Sequence, residues 1–315
     1  MSNLTQRIGT AAVAIPIIVL VCLLGGIWFL FFIAAASFVA LREFYLIAGA
    51  KGAKPQVGTG LAAGLFVNLT FYHSRLSSAT VWILHDLGWS GPFPTQTQLL
   101  AIGLIVIVMA LAVVEIFRND GSAVLNIAST VTGIMYVSLF FGTFIGLREV
   151  FVQGDFPAYR YFPVETAASS AAMWDEVYRW GGYTVISVLS MIWICDTAAY
   201  HTGAAIGRHK LFPRVSPNKT WEGAVAGFVF AILSALAARA LVLDYLGVGD
   251  ALVLGGIVGT FGQLGDLFES SLKRDAGVKD SSNLLPGHGG VLDRFDSLLF
   301  VAPLAYLYID YIILS

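Results

Sequence analysis

Nine apolar runs, at 10–24, 26–48, 58–72, 99–117, 124–147, 184–203, 221–242, 252–272 and 292–314, constrain this chain more than any other feature. Most approach the roughly 20 residues that a helix needs to cross the hydrocarbon of a bilayer. The runs at 10–24 and 58–72 are short, which predicts a tilted or re-entrant course there. Gly25-Gly26 breaks the first run from the second, and the stretch from Gly49 to Gly60, with Pro55, separates the second from the third. Composition agrees: 57% of the 315 residues are hydrophobic and 12% charged, and the mean hydropathy is +0.78. A water-soluble domain could not cover that much apolar surface. The expected fold is all-α, a polytopic integral membrane protein with about nine transmembrane helices.

Cys22 and Cys195 both fall inside apolar runs, which supports neither a disulfide framework nor a thiolate metal site. The first run lacks a small-residue cleavage site and leads straight into the second, so no cleavable signal is expected. The expected organisation is N-terminal transmembrane helices over 1–150, an extracytoplasmic loop over 151–183, and a C-terminal membrane region over 184–315 that carries the chemistry. The connections 73–98 and 148–183 are read as loops and assigned no chemistry.

Orientation follows from the basic residues, because cytoplasmic loops retain positive charge during insertion. With the N-terminus inside and nine crossings, 13 of the 18 Lys and Arg residues are cytoplasmic: Arg7, Arg42, Lys51, Lys54, Arg118, Arg208, Lys210, Arg214, Lys219, Lys273, Arg274, Lys279 and Arg294. Arg75, Arg148, Arg160, Arg179 and Arg239 fall outside.

The most polar stretch of the chain is then cytoplasmic. It runs from Ser270 through Lys273-Arg274, Asp275, Lys279-Asp280 and Pro286-Gly-His288-Gly289-Gly290 to Asp293-Arg294-Phe295-Asp296. Acids and bases interleaved this closely suit a site where carboxylates hold a cation, and cation and bases together hold phosphate. The loop at 204–220 lies on the same side. Its end, Ser216-Pro-Asn-Lys219-Thr220-Trp-Glu222-Gly223, brings a cation and hydroxyls to a helix N-terminus, where N–H groups and the dipole attract phosphate. Capping is an alternative role for Ser216 and Glu222, with Pro217 in the first turn. It does not account for Lys219.

Two acids lie well inside apolar runs, Asp196 in the sixth and Asp266 in the eighth. An ionised carboxylate at that depth is seldom kept without a partner or a function. Helical spacing puts Asp266, Glu269 and Ser270 on one face, and Asp293, Asp296 and Ser297 on another. Such faces can present several oxygens to one hard cation. His73, His85, His201 and His209 show no such neighbours in the sequence.

The segment Ser270-x-Leu-Lys-Arg-x₄-Lys279-Asp280-x-Ser282-x₂-Leu285-Pro286-x-His288-Gly-Gly-Val291-x-Asp293-Arg294-Phe295-Asp296 resembles the signature of the phosphatidate cytidylyltransferases, or CDP-diacylglycerol synthases. Ser216-Pro-x-Lys219-Thr220-x-Glu222-Gly223, Gly265-Asp266-Leu267-Phe268-Glu269-Ser270 and Asp196-Thr-x-Ala-Tyr200 are similar to further motifs of that family. The resemblance covers the C-terminal third. The N-terminal helices agree with the family only in character, and the connection at 148–183 is longer than its pattern.

The resemblance implies transfer of a cytidylyl group from CTP to phosphatidate, with magnesium required and room for a second cation. It implies metal ligation by Asp266, Asp293, Asp296 and Asp196. Lys219, Asp266, Asp293, Lys273, Arg274 and Arg294 are the expected catalytic set. Ser216, Thr220, Lys279, His288, Gly289 and Gly290 are expected to bind substrate, with His288 placed either on phosphate or base or in the turn itself. CTP and phosphatidate are the expected partners, nucleic acid is not, and a homodimer is left open. The expected location is the bacterial cytoplasmic (inner) membrane, with the site facing the cytoplasm.

Two other readings share these residues. A transporter would also keep intramembrane acids, but it usually shows duplicated halves, which this sequence lacks. A CTP-dependent polyprenol or phytol kinase has the same needs with an alcohol acceptor, and requires a general base besides.

Overall fold

Backbone N–H and C=O groups find no partner in hydrocarbon, so each apolar run satisfies its own as a helix. In the computed structural model, which describes residues 3–88, 91–163, 170–284 and 289–315, the helices are α1 (Asn3–Leu24), α2 (Gly26–Ala50), α3 (Val57–Thr70), α4 (His73–Asp86) and α5 (Gln96–Phe117). They continue with α6 (Ala123–Glu149), a single turn α7 (Ala158–Tyr161), α8 (Ala171–Ile206), α9 (Trp221–Leu241), α10 (Val248–Ala276) and α11 (Leu292–Ile313). Among the described residues seven are long and apolar enough to cross a membrane: α2, α5, α6, α8, α9, α10 and α11. The chain is thus an all-α, polytopic integral membrane protein. The apolar part of α1, Ala12–Leu24, and the whole of α3 are shorter.

The helix starts carry their own chemistry. Thr95, Ser122, Ser170 and Thr220 each accept a hydrogen bond from the third residue of the succeeding helix, at Gln98, Leu125, Met173 and Gly223. This corrects the capping alternative for Ser216. Ser216 and Pro217 lie instead in a strand, β2 (Ser216–Thr220), paired antiparallel with β1 (Lys210–Phe212). Glu222 accepts from His209, through its backbone N–H at 3.2 Å and its Nδ1 at 2.7 Å, and so closes the base of the hairpin. His209 therefore has a partner that lies outside its own stretch of sequence.

Two connections read as loops contain helix. Residues 73–86 form α4, whose polar first half, His73-Ser-Arg-Leu-Ser-Ser78, keeps its mean hydropathy low. Residues 171–183 are the first turns of α8, because Asp175, Glu176 and Arg179 lower the hydropathy there without interrupting the helix. With 36 residues, α8 is about 54 Å long at 1.5 Å per residue and outruns the hydrocarbon.

The bundle has two polar ends, each tied by side chains far apart in sequence. At one end, Lys51 pairs with Asp275 and Lys54 with Asp120. Buried Glu115 accepts from Gln56 Nε2 and Asn126 Nδ2, each at 2.7 Å. At the other end, Arg148 is fully buried and donates from Nε to the Cys22 carbonyl at 3.0 Å, with its guanidinium 4.0 Å over the Tyr178 ring. Next to it Glu149 accepts from Gly26 N at 3.2 Å and from Arg75 Nε at 2.7 Å. Arg148 thus supplies the donors that the end of α1 lacks where the chain turns at Gly25.

Between the ends the core is aromatic and aliphatic: Phe29, Ile33 and Leu41 of α2 meet Phe141, Phe144 and Ile145 of α6, with Leu299, Val301 and Ala302 of α11 behind them. Small residues bring helices closer where the site will lie. A Cβ on Gly223 would stand 2.6 Å from the Ala199 carbonyl oxygen, and one on Gly227 would stand 3.0 Å from that of Cys195. Close backbone approach of α8 and α9 therefore depends on these glycines. The outer faces of α5 and α9, with Ile105, Met109, Val225 and Leu233 exposed, have the character of lipid-facing surface.

Candidate active site

The polar residues of the last third converge on one cavity of about 1650 Å³. Its wall includes Asp196 from α8, Lys210 from β1, Lys219 and Thr220 from β2, Asp266 and Lys273 from α10, Asp280 beyond it, and Asp293, Arg294 and Asp296 from α11. Helices, hairpin and connection are all needed to assemble these groups. No single stretch of sequence contains them.

Backbone contact sets the spacing of α10 and α11. A Cβ at Gly265 would collide with the Asp296 carbonyl oxygen and stand 3.2 Å from Phe300 Cβ. The next residue on α10 is Asp266, so the absence of a side chain at 265 brings the Asp266 and Asp296 carboxylates to a common wall. Behind them Tyr136, Phe268 and Phe300 pack edge-on or tilted at 5.0 to 6.1 Å. A π-helical turn at Val258–Gly262 precedes this part of α10, and Gln263 Nε2 takes up the Gly259 carbonyl at 2.6 Å and that of Ala224, on α9, at 3.0 Å. Such turns recur at functional sites, where they shift the register of the helix beyond them.

Two lysines stand among the acids with different partners. Lys219 Nζ lies 2.6 Å from Asp266 Oδ2, while Ser270 Oγ donates to Asp266 Oδ1 at 3.3 Å. Asp196 and Asp296 lie within electrostatic reach of Asp266 and Lys219. Three carboxylates thus share one ammonium. Lys273 bridges Glu269 Oε2 and Asp293 Oδ1, each at 2.6 Å. Its side chain is 11% exposed and those of its two partners 1% and 3%. This is a buried triad held by mutual attraction in a poorly hydrated place.

Asp293 is heavily engaged. Besides Lys273 it accepts from Gly290 N at 2.7 Å, Ser281 N at 2.9 Å and Ser281 Oγ at 2.9 Å. Three of these contacts crowd Oδ2 while Oδ1 meets Lys273 alone, so an ion would reach Asp293 only at Oδ1 and in competition with that ammonium. Asp196, Asp266 and Asp296 fit a cation better, being in excess over their one positive neighbour. As they stand, no three acid or imidazole side chains among the described residues are gathered closely enough to chelate an ion.

Other expected residues take different places. Arg274 is exposed and donates to the Val278 carbonyl at 3.3 Å, where Gly277, at φ 72°, ends α10. Lys279 is exposed on the turn beyond, and Ser216 pairs with Phe212 in the hairpin. Among the described residues these three lie off the cavity wall. Gly289 and Gly290 back onto Asp293: a Cβ at Gly289, whose φ is 77°, would stand 2.6 Å from Asp293 Oδ2. His288 lies outside the described residues. Lys210, which the motifs do not single out, lines the cavity. Neither it nor Arg294 has an ion pair among the described residues.

From this polar end the cavity continues into an apolar arm. Val13 and Ile17 of α1, Phe32, Ala36 and Val39 of α2, and Ile192 and Trp193 of α8 line it. One end can hold anions and the other hydrocarbon, within a single space.

Comparison with known proteins bears on what fills it. A family model described as "Cytidylyltransferase family" matches residues 5–312. A phosphatidate cytidylyltransferase of Synechocystis sp. is 32% identical over 309 residues, covering 97% of this chain and 96% of that protein. Proteins of the same name from Staphylococcus saprophyticus and Staphylococcus aureus are 46% and 47% identical, each over 124 residues, or 39% of this chain. The chain spans about half the length of these staphylococcal relatives, 48% in each case.

Proposed function

The chain belongs to the cytidylyltransferase family, and from that premise we propose that it transfers the cytidylyl group of CTP to phosphatidate, releasing pyrophosphate and forming CDP-diacylglycerol. The observation that carries this reading is the cavity itself, in which Lys210, Lys219 and Arg294 are joined to an apolar arm between α1, α2 and α8. A two-chain lipid with an anionic head matches both ends. A nucleotide matches only the polar one.

The chemistry asks little of a general base. The lipid phosphate is already anionic at neutral pH, and one of its oxygens attacks the α-phosphorus of CTP. The bond from that phosphorus to the bridging oxygen breaks, and pyrophosphate leaves with the electron pair. The obstacle is the approach of two anions, which fixed cations lower. Lys219 and Arg294, from β2 and α11, bracket the polar end, and Lys210 lies beside them on β1. Lys273 acts through its partners: by pairing with both Glu269 and Asp293 it holds α10 against the start of α11. Asp196, Asp266 and Asp296 would hold magnesium. Bound there, a divalent cation supplies Lewis-acid neutralisation of the triphosphate, worth several kcal/mol.

The nine-crossing arrangement, with N-terminus and site in the cytoplasm of a bacterial inner membrane, is part of the same proposal. Its support is the 13-to-5 split of basic residues and the gathering of the cavity-lining cations at one end of the bundle. CTP is then available from water and phosphatidate from the bilayer.

The test is the reaction. Purified protein in detergent, given phosphatidate, CTP and magnesium, should release pyrophosphate and form CDP-diacylglycerol, and omitting the lipid or chelating the metal should stop both. CDP with a phosphorylated alcohol would establish a kinase instead. No nucleotide turnover with any lipid would refute both enzymatic readings.

A further inference from the structure

Glu43 belongs to α2, far in sequence from the acids and bases of the site, and is 3% exposed. Among the described residues it has no ion pair. Its carboxylate is instead filled with neutral donors: Ser282 Oγ at 2.6 Å and Val291 N at 3.1 Å on Oε1, Leu292 N at 2.7 Å and Ser281 Oγ at 3.1 Å on Oε2. Burying a carboxylate is costly unless such bonds replace its hydration. Three of these donors come from the connection between α10 and α11, at Ser281, Ser282 and Val291, and the fourth from Leu292, the first residue of α11.

Two features show what these bonds do. Helix α11 begins at Leu292, and its N-cap, Val291, offers no side-chain cap. Glu43 reaches across from α2 and takes the first two free N–H groups of that helix, where a negative charge also meets the favourable end of the dipole. Secondly, Ser281 Oγ lies between Glu43 Oε2 at 3.1 Å and Asp293 Oδ2 at 2.9 Å. Its single proton serves one carboxylate at a time, so the hydroxyl is shared between Glu43 and Asp293. Space for the junction is kept by Gly290: a Cβ there would collide with Ser281 Oγ and stand 2.5 and 2.6 Å from the two Glu43 oxygens.

We infer that Glu43 is a positioning residue: from α2 it caps α11 and clamps Ser281 and Ser282 to Val291 and Leu292, and so fixes where Asp293, Arg294 and Asp296 stand. Its side chain is not part of the cavity wall. Only the kinetic part of the inference rests on the proposed cytidylyl transfer.

The test uses the full-length protein in detergent, with Glu43→Gln and Glu43→Asp beside the parent. Glutamine places an NH₂ where two donors already point, so it breaks the clamp while keeping size. Three readouts are taken: kcat and KM for each substrate per folded molecule, amide exchange of peptides within 278–296, and the thermal midpoint. A misplacement of about 1 Å costs on the order of 10²-fold in rate, so Glu43→Gln should lower kcat by about that factor. The KM for phosphatidate should stay near that of the parent, because the tail arm is untouched. Exchange should quicken in 278–296 while α9 is unchanged, and Glu43→Asp should recover part of both effects. Unaltered exchange in 278–296, or a parental kcat per folded molecule, would overturn the inference. If Glu43→Gln fails to fold, Glu43→Asp draws the carboxylate back by one methylene and should quicken exchange in 289–292 relative to the parent; no change there would equally overturn it. A parent protein without cytidylyl transfer would refute the proposed function, and the exchange measurement would still decide the role of Glu43.

Discussion

Lys219 and Asp266 form an ion pair of 2.6 Å that ties the β-hairpin to α10 at the cavity wall. The pair is partly open to solvent, with the two side chains 25% and 33% exposed. Its strength is therefore moderated by water, and each partner remains accessible to a stronger one. Lys219→Met should lower kcat/KM for CTP by about 10²- to 10³-fold, the usual cost of losing one fixed charge at a developing anion. Lys219→Arg should retain more. Because the two residues touch, the effects of Lys219→Met and Asp266→Asn should not add in the double variant. Additive losses in steady-state kinetics would mean that the two work independently.

Asp266 and Asp293 should fail differently. Asp266→Asn removes charge from a wall that has carboxylates in excess, so the protein should stay folded while the magnesium concentration needed for half-maximal rate rises. Asp293→Asn disturbs a carboxylate that meets Lys273, two backbone N–H groups and a shared hydroxyl. It should lower the thermal midpoint as well as turnover, since a donor left without its acceptor in a buried place costs about 1–3 kcal/mol. A magnesium titration and a melting curve on each variant distinguish the two.

Helix spacing can be tested through Gly265. Gly265→Ala pushes a methyl group into the Asp296 carbonyl, and overpacking of this kind costs about 1–3 kcal/mol. The expected result is reduced turnover in a protein that still inserts. Parental activity would show that α10 and α11 can separate without loss.

The apolar arm predicts a split between substrates. Ala36→Trp narrows the space between α1, α2 and α8, and should raise the KM for phosphatidate severalfold while leaving that for CTP unchanged. If both constants rise together, the lipid tails lie elsewhere.

Topology is open to labelling. In a variant lacking Cys22 and Cys195, single cysteines at positions 210 and 279 should react with a membrane-impermeant reagent only from the cytoplasmic side. Reaction of both from outside intact cells would reverse the orientation.

How far the sequence reveals this molecule depends on the physical range of each signal. Continuous apolar runs report burial in lipid directly, so the long helices lie where hydropathy places them. That signal weakens at α4 and at the first turns of α8, where Asp175, Glu176 and Arg179 extend a helix into water. The hairpin at 210–220 is too short for alternation to register, and so the sequence places Lys219 at a helix start rather than on the strand leading into it. Intramembrane acids such as Asp196 and Asp266 are conspicuous one at a time, whereas the wall they share with Asp296 exists only once α8, α10 and α11 come together. Glu43 is inconspicuous for the opposite reason. Beside Arg42 at the end of a span it reads as an ordinary interfacial pair, and its donors lie more than 230 residues away. The donors around Asp293 Oδ2 are likewise invisible, because backbone N–H groups leave no mark in a sequence.

The contact between Gly265 and the Asp296 carbonyl also bears on the bilayer. A helix bundle answers a change in lipid thickness by tilting and sliding its members, at a fraction of a kcal/mol per Å of mismatch. Where two helices touch backbone to backbone, neither can slide without one chain climbing over the other. Asp266 and Asp296 must then tilt as one rigid body, and the gap between their carboxylates is insulated from the composition of the membrane.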